Sequence, residues 1–294
     1  MVVMNYKAGQ LANRLFYFAH FVSNSVEYDY ELINPSFDDY KDYFIATAKN
    51  DFEGLKVSIG ISQNSSLDSF LRKSINVLHK VLLPPLRETS FYYFHSIKEN
   101  DRNDVDFDMN QPNFIEAAKQ KTVFVDGWLY RDPKNFKKHA STLRKVFTPQ
   151  PKYTDEVCQI IDRCRLQGDL VVGIHIRRGD YKAYNNGYWY YEDEVYREKM
   201  KALEKSISVD GRKCVFLVCS NEPINKANYE GLEIVADNRH FMVDLYALAK
   251  CDYIMGPPST FTMWASFYGQ VPLLTLDSRY KQVDLADFYI VTKG

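Results

Sequence analysis

Cysteine is scarce in this 294-residue chain: Cys158, Cys164, Cys214, Cys219 and Cys251 are odd in number, and no two stand as Cys-x-x-Cys. Such a set supports neither a disulfide framework nor a zinc site, and it predicts reduced thiols in a cytoplasmic compartment, with Cys219 and Cys251 simply packed. An excess of charge is missing too. Against 38 Asp+Glu stand 37 Lys+Arg, a net charge of −1, which argues against a nucleic-acid binder with its clustered basic surplus. No apolar run approaches the ~20 residues of a membrane span, and Met1–Lys7 has no basic region followed by an apolar stretch, so the sequence predicts neither a secreted nor a membrane-anchored chain. With 13 Gly and 11 Pro it is neither collagen-like nor low in complexity.

What is present is a sizeable core and many aromatic rings. Hydrophobic residues make up 46% of the chain and charged ones 26%, ordinary globular usage. Tyr 22, Phe 19 and Trp 3 give 22 + 19 + 3 = 44 aromatics, which suits either surfaces that bind sugars and flat rings or an aromatic-rich core. The length allows one large domain or two smaller ones.

In the carboxyl-terminal half, short apolar runs alternate with helical patterns, which predicts an α/β fold with a parallel sheet covered on both faces. The expected strands are Leu170–Ile176, Val215–Cys219, Leu232–Ala236, Tyr253–Met255 and Val271–Leu276; the expected helices are Glu192–Ile207, Phe241–Lys250 and Thr260–Tyr268. This reads as a Rossmann-like nucleotide domain. The amino-terminal half opens in the same way, with a strand at Val2–Tyr6, a loop at Lys7–Gln10 and a helix over Leu11–Glu27, and Thr122–Asp126 reads as a later strand. Two α/β halves are expected, 1–150 and 151–294, parting near Thr148-Pro149-Gln150-Pro151. One segment departs from the alternation: Leu67, Phe70, Leu71, Ile75, Leu78, Val81 and Leu82 recur at helical spacing with Arg72, Lys73 and Lys80 among them, ending at Pro84-Pro85. It is either a helix packed on the first half or a basic amphipathic helix in peripheral contact with a membrane.

The stretch Gly173-Ile174-His175-Ile176-Arg177-Arg178-Gly179-Asp180-Tyr181 puts two adjacent guanidiniums at the carboxyl end of a buried strand, where open α/β sheets bind ligands. Their fork geometry matches phosphate oxygens, so a pyrophosphate is the natural partner; the alternative is pairing with Asp180 or another carboxylate. Ser220 and Asn221 follow a strand and either contact a nucleotide or cap a helix. His175 is also readable as a buried strand histidine satisfied by a backbone carbonyl, and Asp244 as a helix amino-terminal residue favoured by the dipole.

The stretch resembles the His-x-Arg-Arg-Gly-Asp-Tyr motif of the α-1,2-fucosyltransferases of glycosyltransferase family 11. Gly9-Gln10-Leu11-Ala12-Asn13-Arg14-Leu15-Phe16 is similar to that family's amino-terminal motif, and Val125-Asp126-Gly127-Trp128 to its Gly-Tyr strand end. Asp244–Cys251 and Ser259–Ala265 resemble its Asp-Leu-x-Leu-Met-x-x-Cys and Ser-Thr-Phe-Ser-Trp-Trp-Ala blocks.

The resemblance implies a GT-B architecture, two Rossmann-like domains facing across a cleft, with the acceptor on the first and GDP-β-L-fucose on the second. It implies inverting transfer of fucose to a glycan acceptor, without a metal or other cofactor; no Asp-x-Asp pair is expected at a strand end, and the six His do not cluster with carboxylates. Arg177 is expected at the leaving phosphate, with Arg178 on the loop or a second phosphate oxygen, and Ser259, Thr260 and Phe261 at the helix opening beside it. The resemblance carries His175 and Asp244 to the guanine. Gly9, Asn13 and Arg14 would approach the pyrophosphate from the first domain. Asp180 is the first choice for acceptor base, with Asp38, Asp39 and Asp126 as others. The alternatives are another nucleotide sugar, fucosylation of protein, or a non-catalytic sugar-binding protein of the same fold.

Overall fold

The computed structural model describes residues 1–60, 65–82, 86–97, 105–208 and 211–294, with the side chains of Ser65 and Ser66 left aside. The chain divides into two units, Met1–Gln150 with Thr292–Gly294, and Pro151–Val291. The last three residues therefore belong with the first unit and not, as expected from the sequence, with the second. Gly294 lies against Phe16 and His20, so closely that a Cβ on it would stand 2.8 Å from the imidazole Nε2.

The first unit carries β1 Val2–Met4, α1 Leu11–Tyr28, β2 Leu32–Ile33, α2 Ile45–Lys49, β3 Val57–Ser58, α3 Ser65–Val81, β4 Tyr92–Ser96, β5 Phe107–Asp108, α4 Pro112–Gln120, β6 Thr122–Asp126, β7 Tyr130–Arg131, α5 Pro133–Lys138 and α6 Ala140–Val146. Its main sheet runs β3-β2-β1-β6-β4, with every pairing parallel. The central strand β1 reads Val-Val-Met and is wholly buried, as expected of a parallel strand covered on both faces. Strand β1 stops at Met4, two residues before the expected Tyr6, although the Asn5 N–H still reaches the Val125 carbonyl at 3.1 Å.

About half of the aromatic residues are buried in the core. Phe18 meets Phe37 at 5.3 Å and Phe147 at 5.6 Å, and Tyr17 meets Phe21 at 5.2 Å between ring centroids; all of these rings are buried.

The second unit carries α7 Pro151–Arg165, β8 Leu170–Ile176, α8 Asp193–Ile207, β9 Cys214–Ser220, β10 Ile234–Val235, α9 Phe241–Leu248, β11 Tyr253–Gly256, α10 Thr260–Gly269 and β12 Leu273–Thr275. The sheet order is β10-β9-β8-β11-β12, again parallel throughout. Edge strand β10 keeps only two of the five residues expected at Leu232–Ala236, because an edge strand gains ladder bonds on one side alone. Helix α8 buries Tyr196, Met200, Leu203 and Ile207, four or three residues apart, against β8 and β9. All five thiols are free; Cys219 and Cys251 are buried against the backbone of α9.

Candidate functional site

In the second unit the chain starts at the centre of the sheet with β8, steps outward to β9 and β10, then crosses back to β11 on the other side of β8. The loops leaving β8 and β11 diverge there, and α/β sheets bind ligands in the crevice that opens at such a switch of order. The residues that leave the two strands are Arg177–Tyr181 and Pro257–Thr260. The topology thus brings two separate motifs of the sequence to one sheet edge.

The seam between them is tight. The His175 ring stacks on Phe261, 5.0 Å between centroids and 19° between planes. Tyr181 donates its hydroxyl proton to the Pro258 carbonyl. Gly256 lies beside His175, and a Cβ there would come within 2.9 Å of the His175 carbonyl oxygen and 3.0 Å of its Cβ. The His175 imidazole is buried, and neither ring nitrogen makes a hydrogen bond of good geometry, the Cys219 backbone being the polar group facing it. Burial first, and the Arg177 guanidinium second, push its pKa down to about 3, so the ring is neutral.

The tandem arginines are allocated to different partners. Arg177 donates to Asp180 Oδ2 at 2.9 Å, and its guanidinium lies 5.7 Å from the centroid of the Tyr181 ring. Arg178 turns the other way and pairs with Asp193 in the first turn of α8. Asp193 also accepts from the Tyr229 hydroxyl at 2.5 Å and from Asn228 Nδ2 at 2.6 Å. Burial alone would raise the Asp193 pKa, but the three donors outweigh it and hold the carboxyl below its ordinary value. Asp180 is thus held by Arg177 and Asp193 by Arg178, the carboxylate pairing that stood in the sequence as the alternative to a phosphate.

The Arg178 backbone N–H donates to Asn221 Oδ1 at 2.8 Å, which ties the loop after β8 to the loop after β9. Between them Gly179 sits at φ +57°, where a Cβ would also approach Asn221 Nδ2 to 2.9 Å. Only glycine takes this position without strain. Ser220 is spent locally: its Oγ accepts the Glu222 N–H at 3.1 Å.

Across the switch point, Ser259 is the N-cap of α10. Its Oγ accepts the Phe261 N–H at 3.2 Å, and its carbonyl accepts the Thr262 hydroxyl at 2.9 Å. An amino terminus of this length presents partial positive charge and unsatisfied N–H groups, suited to a phosphate.

Asp244 lies in the first turn of α9 and is buried. Arg239 Nε donates to its Oδ1 at 2.8 Å, while Arg239 Nη2 donates to the Val218 carbonyl at 2.7 Å. Burial raises the Asp244 pKa, and Arg239 works against that rise. Arg239 is a residue the sequence did not single out; nothing in Asp237-Asn238-Arg239-His240 marks it, since its partners come from a strand and a helix.

The amino-terminal candidates form a cluster of their own in the first unit. Gly9 has φ +52°, and a Cβ on it would stand 2.5 Å from Asn13 Nδ2. Arg14 donates to the Gly9 carbonyl at 3.1 Å and to Asp39 at 2.8 Å, and its guanidinium lies 4.8 Å from the Tyr40 ring centroid. Lys7 pairs with Asp38 at 2.6 Å and with Asp39 at 2.8 Å. Against its desolvation, these cations lower the Asp39 pKa, which makes Asp39 a poor proton acceptor. Asp126 ends β6, among the charges that act on Tyr17 and His79.

One expectation fails outright. Asp106-Phe107-Asp108 is an Asp-x-Asp pair at the end of β5. Both carboxylates are engaged in structure: Asp108 accepts the Asn110 N–H at 2.9 Å, and Asp106 faces Arg131 at 3.6 Å. Among the described residues no group of three His, Cys, Asp or Glu is placed to hold a metal ion, and no helix is long and apolar enough to cross a membrane. A concavity of about 590 Å³ in the first unit, lined by Met1, Asp29 and Lys56 among others, opens at the amino-terminal ends of its strands, the opposite end from a switch-point crevice.

Two Rossmann-like units of parallel sheet define the GT-B class of α/β fold. Solved structures of that class are similar to the whole chain. An Arabidopsis thaliana FUT1 variant in complex with GDP matches at 14% identity and a TM-score of 0.63, covering 100% of this chain and 74% of that one. The fucosyltransferase NodZ from Bradyrhizobium matches at 14% identity and a TM-score of 0.56, covering 94% and 95% of the two chains. POFUT1 in complex with GDP-fucose matches at 13% identity and a TM-score of 0.53, covering 91% and 93%. No family model and no curated protein sequence matches the chain.

Proposed function

We propose that this chain is an inverting, metal-independent fucosyltransferase of the glycosyltransferase family 11 type, moving L-fucose from GDP-β-L-fucose to a galactose 2-hydroxyl of a glycan. The observation that carries the reading is the joining, at the β8/β11 switch point, of the loop that bears Arg177 to the capped amino terminus of α10, through the His175–Phe261 stack and the Tyr181–Pro258 hydrogen bond. Similarity in fold to proteins solved with GDP and GDP-fucose adds the donor class. The five free cysteines suit a reducing, cytoplasmic setting.

In this reading the bond from fucose C1 to the β-phosphate oxygen breaks as the acceptor oxygen bonds to C1 from the opposite face. Negative charge grows on the departing GDP, and donors already aimed at that oxygen lower the barrier. Arg177 supplies a permanent cation there, and Ser259, Thr260 and the N–H groups of α10 supply fixed dipoles. Phe261, stacked on a neutral His175, walls the crevice on the nucleotide side. The acceptor proton passes to a carboxylate, for which exposed Asp180 is the first choice, freed for that role when Arg177 exchanges their 2.9 Å pairing for the phosphate.

The test is incubation with GDP-fucose and a panel of β-galactosides, with transfer and slow donor hydrolysis both read by mass spectrometry. Transfer is expected to survive EDTA, because positive charge comes from the protein. Complete loss on chelation, restored by manganese, overturns the metal-independent mechanism. A thermal shift with GDP but not UDP is expected; absence of hydrolysis and of transfer with every acceptor leaves a non-catalytic sugar-binding protein as the better reading.

A further inference from the structure

Helix α3 packs against the sheet of the first unit with its less apolar side. Ile75 joins Val3, Ile33 and Phe94; His79 meets the Phe94 ring edge-on at 4.7 Å and the Phe124 carbonyl at 3.2 Å; and Asn76 accepts from Asn5. The opposite side is apolar and faces out. Leu67, Phe70, Val77, Leu78 and Val81 are all exposed, Phe70 to 65% and Val81 to 63%. At 100° per residue these five lie within one third of the helix circumference. Of the seven apolar residues at helical spacing in the sequence, Leu67, Phe70, Leu78 and Val81 thus face away from the core, whereas Ile75 and Leu82 pack on it. Pro84-Pro85, where the helix was expected to end, lie outside the described residues.

Among the described residues the exposed charges of α3 have one sign. Lys73 and Lys80, two turns apart, are exposed along one margin, whereas Asp68, the only acid of the helix, lies on the opposite side and is half-buried. Beyond the helix, Arg87 donates back to the Leu82 carbonyl at 3.0 Å, and two more apolar side chains, Leu86 and Phe91, stay exposed, Phe91 to 83%. Glu88 in that segment is neutralised by Lys121 at 2.7 Å. An isologous contact would set the patch against itself, and among the described residues of α3 the one acid, Asp68, lies away from Lys73 and Lys80. A surface that is apolar inside and anionic at its boundary meets both halves of the pattern.

We infer that the outer face of α3 docks this protein on an anionic lipid bilayer, with Phe70, Val77 and Val81 entering the interface and Lys73 and Lys80 meeting the headgroups. This inference is independent of the reaction proposed above.

The full-length chain sedimented with vesicles tests it, using equal parts phosphatidylglycerol and phosphatidylcholine in one set and phosphatidylcholine alone in the other. Binding to the first set, weakened by salt, is expected, with little to the second. Lys73→Glu with Lys80→Glu is expected to lower the partition by roughly 30-fold, and Phe70→Asp with Val81→Asp to abolish it. Leu166→Asp, at an equally exposed apolar residue of the second unit, is expected to leave it unchanged, and circular-dichroism melts confirm that each variant is folded. Absence of binding to the anionic vesicles overturns the inference, as does binding insensitive to both α3 double variants. A concentration-dependent dimer without lipid, broken by Phe70→Asp with Val81→Asp, assigns the face to a second copy instead.

Discussion

Arg177 and Arg178 are adjacent, yet their side chains answer to different carboxylates and should fail in different ways. Arg178, Asp193, Tyr229 and Asn228 form a partly buried cluster, and removing one charged member leaves the other with a lost partner, at a cost of about 1–3 kcal/mol. Arg178→Ala is therefore expected to lower the urea midpoint of the second unit; an unchanged midpoint would refute the bracing role. Arg177→Lys keeps the charge and loses the fork. In the proposed transfer, charge on the bridging oxygen develops only as the bond breaks, so turnover is expected to fall by roughly 10²-fold, about 2.7 kcal/mol, with a smaller change in donor affinity. Steady-state kinetics of the two variants side by side check this, and equal mild effects on rate would count against a leaving-group role for either. Asp193 adds a pH test. Its folded pKa is lowered, so its stabilisation is complete above the unfolded value of about 3.9 and is lost as pH falls further. Asp193→Asn should flatten that acid limb of the stability curve.

At the scale of the elements, the seam between β8 and β11 determines whether the two loops form one site. Gly256 is a point of close approach, its missing side chain leaving room for His175. Gly256→Ala inserts a methyl against backbone that does not yield easily, and overpacking of this kind costs about 1–3 kcal/mol. The expected result is a lower melting temperature together with weaker GDP binding, because displacement of His175 also shifts Phe261 and the start of α10. Lost stability with GDP affinity intact, read by calorimetry, would show that the seam is structural and the nucleotide site lies elsewhere.

For the whole molecule, each unit holds a buried neutral histidine. His20 in the first unit and His175 in the second both have pKa values lowered to about 3, burial being the main cause in each. The unfolded chain titrates near pH 6.5, so between that value and about 3 it binds protons that the folded chain refuses. Stability is then full above pH 6.5 and falls with pH below it, by about 2 kcal/mol per histidine near pH 5. Urea unfolding near pH 7.5 and near pH 5 measures this in both units, through Trp128 in the first and Trp189 and Trp264 in the second. Equal unfolding free energies at the two pH values would contradict it.

The sequence by itself determined the elements whose signals are local. Leu170–Ile176 and Thr122–Asp126 are strands with the expected bounds, because short β-branched and apolar stretches bury in a sheet, the first along its whole length and the second at alternate residues. Thr260 opens a helix after a serine cap, a signal written within three residues. The parting of the chain near residue 150 was equally visible in the change of pattern. What only the tertiary structure decided was partnership and direction. Which arginine holds Asp180, what lies beside Asp244, and where the last three residues belong depend on groups far apart in sequence, and residue type specifies how strongly a guanidinium pairs but not which carboxylate reaches it. Helix α3 shows the same limit most plainly: spacing reveals an apolar face, but whether that face meets the core or the solvent depends on what Val3, Phe94 and Asn5 already offer, since a sheet can anchor a helix through Ile75, His79 and Asn76 and leave its apolar stripe outside.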